Sequence, residues 1–190
     1  MFWPQRGDVP FAPGVDRKSA AHLDWFGTDD LGFLAEGFLA AGHFVVDGAA
    51  ESILHADQFF FPAAYLYRHA MELQLKALLR AGLPTPYSAS EERALGGHNL
   101  NDLWQLVKPL ILTRWPEGEP DTVSAVEAVL EQFHQIDSSG QEFRYTHDKR
   151  SGARYLQHAP RVIDMQNLKA VAAGTFTFLA GCAGGVGDEP

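Results

Sequence analysis

Arg68, Glu72, Lys76 and Arg80 recur every fourth residue. On a helix this spacing places all four on one face. The surrounding run is apolar, so they form either a thin solvated stripe or a polar seam inside the protein. Charged groups are seldom buried without partners, and the solvated stripe is the simpler expectation. His98 follows beyond the helix and is the natural partner for Glu72. A carboxylate beside an imidazole is material for proton transfer, or simply an internal tie between loop and helix. The expectation is that Glu72 and His98 come within hydrogen-bonding or one-water reach, with Arg68 or Lys76 nearby.

A second group lies in EFRYTHDKRSGARYLQ, residues 142–157. It gathers Arg144, Lys149, Arg150 and Arg154, with Tyr145 and Tyr155 among them. Arginine with aromatic rings suits the phosphates and unstacked bases of single-stranded RNA. The plainer reading is surface charge with tyrosines packed on the body. Two Arg/His spacings are short: Arg93 and His98 with four residues between, and Arg154 and His158 with three. A histidine as base and an arginine beside phosphate would be metal-independent RNA chemistry, so these four are the catalytic candidates. His69 and Glu72, three apart, resemble a fragment of a dimetal site, with Glu36, Glu51 and Glu131 as conceivable partners. No complete ligand set is legible. There is no HExxH helix, no Gly-rich phosphate loop and no GxSxG elbow, so neither metal nor cofactor is expected.

The elements that must position these groups read as helices. Residues 62–80 hold strong helix formers between Pro62, at a helix start, and Gly82 with Pro84 at its stop. Leu66, Ala70, Leu73 and Ala77 make one apolar line, and Met71, Leu75 and Leu78 another. This helix is therefore expected at the centre of the fold. Thr28, Asp29 and Asp30 mark an earlier helix start, and its pattern runs over 31–55. The short link implies that the two helices are antiparallel neighbours. Residues 83–99 read as a polar loop. Asn99 or Asn101 caps a third helix, kinked or ended near Pro109. A fourth runs from Asp121 or Thr122 to Ile136, closed by Asp137 to Gly140. After the hairpin-like basic insertion, Asp164 caps a last helix ending at the GCAGG run. The fold expected is an all-α compact helical bundle, organised as an extended arm over 1–20, one helical domain over 21–185 and a tail over 186–190.

A chain of 190 residues with 46% hydrophobic content suits one such domain. Net charge is −9, which disfavours nonspecific binding to nucleic acid and leaves room for a local basic site. The single cysteine, Cys182, excludes an internal disulfide and reads as a small buried residue. The N-terminus lacks a signal-peptide pattern, and no run of 18 apolar residues occurs. A cytoplasmic protein without membrane contact is expected. Phe2, Trp3 and Phe11 are too apolar for a free tail, so the arm should be covered by the bundle or by the second subunit of a homodimer.

YLYRHAMELQLKALL at 65–79, then GHNL at 97–100 and Leu103, resembles the HEPN superfamily. Its members are helical bundles of prokaryotic toxin–antitoxin, defence and nucleotide-linked systems. The matching positions are Arg68, Glu72, Lys76, His98 and Leu100, with Phe143, Arg144 and Tyr145 similar to the stretch before the last helix in related members. The resemblance spans 65–145 and implies a protein of stress or defence that binds RNA, a nucleotide or a partner protein. Many members are ribonucleases with an Arg/His signature near the start of the last conserved helix. The last helix here, from Asp164 to Gly181, contains neither residue. A noncatalytic binding role is therefore the leading expectation. A ribonuclease with a rearranged Arg/His pair and a purely structural or protein-interaction module are the alternatives.

Overall fold

The structure, a computed structural model, describes residues 30–51, 53–118, 120–145 and 159–186 (backbone alone at 53–55), with positions 3, 5, 6, 8, 10, 14, 16, 21 and 152. Among these residues it is all-α, with six helices and no strand: α1 Leu31–Ala50, α2 Ile53–Gly82, α3 Ala89–Gly96, α4 Leu100–Arg114, α5 Pro120–Ile136 and α6 Met165–Val186. The expectations for Phe2, Phe11, Lys149, Arg150, Arg154, Tyr155 and His158 concern residues outside the described ones. So does most of the hairpin-like insertion, of which only a turn closed by Arg144 N–H on the Gln141 carbonyl is described.

Central position falls to α2. It packs against α1, α4 and α6, and it carries buried Tyr67, Met71, Leu75, Leu78 and Leu79 into the main core. Leu100, Leu103, Trp104 and Val107 of α4, Leu130 of α5 and Leu179 of α6 complete that core. Its residues come from every long helix, so it excludes water only when the bundle has closed. Helices α1 and α2 run antiparallel: Phe38 meets His69 while Gly42 meets Tyr67. A Cβ on Gly42 would lie 2.6 Å from the Tyr67 ring, so glycine is what lets the two helices approach there.

The break between them comes earlier than the periodicity implies. Helix α1 stops at Ala50, and α2 begins at Ile53, leaving Pro62 inside the helix. Proline leaves the carbonyl four residues before it without a donor. Gln58 and Pro62 are both exposed, so water can take that role. The aromatic run that read as a link is what extends the helix inward, where Phe60 meets Phe61 and Phe143 edge-on.

The polar loop after Gly82 also contains a helix. Ser88 accepts from Glu91 N–H, and Glu91 Oε2 accepts from Ser88 N–H at 2.6 Å, a reciprocal cap that starts α3. Elsewhere the local signals act as read. Asn99 caps α4, which continues through Pro109, and Asp164 Oδ1 accepts from Gln166 and Asn167 N–H to start α6. Helix α6 runs on through the small residues to Val186. Cys182 is buried, and burial pushes its thiol pKa up. Trp3 is 68% exposed, so the bundle of its own chain does not cover it.

Candidate functional site

The charges on α2 form a buried seam, and the solvated-stripe reading is overturned. Arg68 and Glu72 are each 1% exposed. Glu72 Oε2 accepts from Arg68 Nη1 at 2.8 Å, and Oε1 accepts from Lys76 Nζ at 2.9 Å. Oε1 also lies 2.8 Å from His98 Nδ1. Burial pushes the Glu72 carboxyl pKa up, but the hydrogen bonds from Lys76, His98 and Arg68 outweigh it and hold the group down at about 2. An ionised carboxylate only accepts, so His98 Nδ1 is the donor and carries the hydrogen.

One guanidinium joins three parts of the chain. Arg68 Nε donates to the Asp137 carbonyl at 3.2 Å, Nη1 to Glu72, and Nη2 to the His98 carbonyl. It thereby fastens α2 to the turn before α4 and to the end of α5. Asp137 is completely buried, and its Oδ1 accepts from Glu142 N–H at 3.1 Å. Its Oδ2 lies 3.3 Å from Arg68 Nε, within ion-pair range, although the Nε hydrogen is directed at the carbonyl and Oδ2 receives no hydrogen bond. Arg68 and Lys76 balance Glu72 and Asp137, so the formal charges of the seam cancel. That balance and the shared hydrogen bonds make its burial tolerable.

At the surface the seam ends on His98, whose side chain is 59% exposed, whereas the Lys76 side chain is 12% exposed. With Nδ1 on Glu72, the imidazole has Nε2 left for acid–base or hydrogen-bonding work. Tyr65, His69, Glu72 and Lys76 are spaced four, three and four residues apart along α2 and share one stripe. His69 stacks on Tyr65 at 5.6 Å between ring centroids and 6° between planes. The Arg144 guanidinium lies 5.7 Å from the Tyr65 centroid and 5.9 Å from that of Tyr145. Arg144 and Tyr145 are exposed, so this cation–aromatic ladder faces solvent at one end. Burial holds the His69 pKa below its ordinary value. Glu72 pulls it up, and the nearby cations and His98 pull it down, so the ring stacks as a neutral group at pH 7.

Of the catalytic candidates, Arg93 sits exposed in the last turn of α3, and neither ion pair nor hydrogen bond joins it to His98. Among the described residues no three His, Cys, Asp or Glu side chains converge as metal ligands. Sequence reasoning missed Asp137, which read only as the close of a helix, and Tyr65 as part of a surface. The stripe spacing could have found Tyr65; nothing local marks Asp137. No protein-family model, curated protein or solved structure matches the chain.

Proposed function

We propose that this chain is a HEPN-like helical protein that binds single-stranded RNA on the α2 stripe without cutting it, in a stress or defence role. The observation that carries this reading is the ladder His69–Tyr65–Arg144–Tyr145. Stacked rings with a guanidinium between them offer a base a π-face and a phosphate a cation. Arg68 and Glu72 are excluded from contact with a ligand by their burial. They act at one remove, fixing His98 and the turns around the stripe. Noncatalytic binding is favoured because the buried arginine is fully engaged and Arg93 stands apart from His98.

Labelled single-stranded RNA and duplex DNA, titrated at low and moderate salt, test the reading. RNA should bind more tightly than duplex, and Tyr65→Ala or Arg144→Ala should each weaken it about tenfold, the scale of one stacked base. Equal affinity for wild type and both variants would sink the proposal.

The His98 geometry favours a second reading, an endoribonuclease. An imidazole oriented by a carboxylate, with its other nitrogen available, can accept a proton from a ribose hydroxyl. Cleavage of the same RNA by wild type, abolished in His98→Ala, would put this reading ahead.

A further inference from the structure

Helices α1 and α6 lie side by side on α2. Asp47 of α1 is ion-paired with Lys169 of α6, and Ala35 of α1 and Phe176 of α6 share the smaller apolar cluster. Their outer faces are apolar and uncovered by the rest of the described chain. On α1, Phe44 is 80% and Phe33 46% exposed. Between and beyond them stand glycines that the chain's own packing does not require. A Cβ added to Gly37 or Gly48 would meet nothing within 4 Å, in contrast to Gly42 against Tyr67. Glycine inside a helix costs stability relative to alanine, and here no intramolecular contact offsets that cost. Close approach of another backbone would offset it.

We propose that the outer face of α1 docks a second copy of this chain, antiparallel, about a twofold axis between Ala40 and Ala41. The register is self-complementary. An axis at that point sets Phe44 against the partner copy's Gly37, Phe33 against its Gly48, and Ala40 against its Ala41. Each large ring meets a residue without a side chain, as an isologous interface requires. The area is adequate. Twenty residues give a helix about 30 Å long, and two helices about 10 Å apart present a face of roughly 600 Å² before side-chain relief, close to the ~800 Å² per partner of a stable interface. This inference is independent of the RNA reading. It places the interface on α1 rather than on the N-terminal arm. The register also sets acidic Asp30 opposite Glu51 at each end, so pairing should tighten as salt screens them.

Light scattering of the full chain should give twice 20.9 kDa. Phe44→Asp should be monomeric with an unchanged helical spectrum. Gly37→Leu should weaken association at least tenfold without lowering the melting temperature of the monomer, which a folding defect would not do. In a Cys182→Ser background, Ala40→Cys should oxidise to a covalent dimer. Gly48→Cys should not, because antiparallel pairing holds the two copies of position 48 about 22 Å apart. Crosslinking at both positions would reject the register. Helices α1 and α6 are also long and apolar enough to cross a bilayer by length and composition. Flotation of the chain with phosphatidylcholine vesicles, abolished by Phe44→Asp, would therefore give the face to lipid and overturn the proposal. A monomer at every concentration, with the face taken up by the chain's own N-terminal residues, would overturn it as well.

Discussion

Gly140 closes over the guanidinium of Arg68. Its φ is +75°, and a Cβ there would stand 3.2 Å from Nη1 and 3.4 Å from Cζ. The turn after α5 thus needs glycine for its backbone and for the space beside a buried charge. Gly140→Ala should lower stability by about 2 kcal/mol, from left-handed backbone strain and displacement of the guanidinium. Gly152 has φ +69° with nothing within 4 Å, so Gly152→Ala should lose only the backbone part, about 1 kcal/mol. Urea denaturation of the two variants checks the difference; equal losses would mean that contact with Arg68 is immaterial.

Removing the centre of the seam should be costly. Arg68→Met leaves Glu72 and Asp137 buried without their cation, for a loss of about 3–5 kcal/mol. Glu72→Gln should not add its full cost on top, because the two residues are hydrogen-bonded. A double-mutant cycle by chemical denaturation reads the coupling, and strictly additive losses would contradict a direct pair. His98→Ala should cost only about 1 kcal/mol, since most of that ring is in water and Lys76 still bonds the same oxygen.

Acid should unfold the protein partly through Glu72. Its pKa falls from an ordinary 4.5 to about 2 on folding. The depressed folded value means that the stabilisation is complete above the unfolded pKa. It is lost as pH drops from about 4.5 through about 2, and amounts to as much as about 3 kcal/mol. Denaturation midpoints measured across that window should fall steeply with acid in wild type and less steeply in Glu72→Gln. Parallel curves would show that Glu72 is not the titrating group.

Salt separates the roles of Arg144 and Tyr65 in RNA binding. Arg144→Gln should lower the slope of log affinity against log salt by about 1, as expected when one phosphate contact is lost. Tyr65→Ala should weaken binding with the slope unchanged, because stacking releases no counterion. Anisotropy titrations at four salt concentrations distinguish the two; identical slopes for wild type and Arg144→Gln would remove the arginine from the phosphate path.

Gly42 and Gly174 should respond oppositely to alanine. Gly42→Ala forces Cβ into the ring of Tyr67, a buried side chain whose hydroxyl is 3.0 Å from His43 Nδ1, and should cost about 2 kcal/mol. Gly174 has open space around it, so Gly174→Ala should stabilise α6 by up to about 1 kcal/mol. Thermal melts of both variants check the signs.

The sequence by itself determined what depends on neighbours along the chain. Helix class and the centrality of α2 follow from apolar lines at helical spacing, and Asn99 and Asp164 act as caps because capping is a contact within a few residues. The Ser88–Glu91 cap was equally local and went unread amid Pro84, Pro86 and Gly96. The Glu72–His98 pair was legible because a carboxylate inside an apolar helix demands a partner. Tertiary structure alone decided whether the charged face of α2 met water or protein. That choice turns on Asp137 and Gly140, which lie about 70 residues from Arg68 and carry no local sign of their role. It also decided that Arg144 lies beside Tyr65, since a cation and a ring so far apart in sequence meet only where the turn after α5 returns to α2. The physical reason is range: caps and periodicity act within a few residues, whereas burial of a charge is a property of everything packed around it.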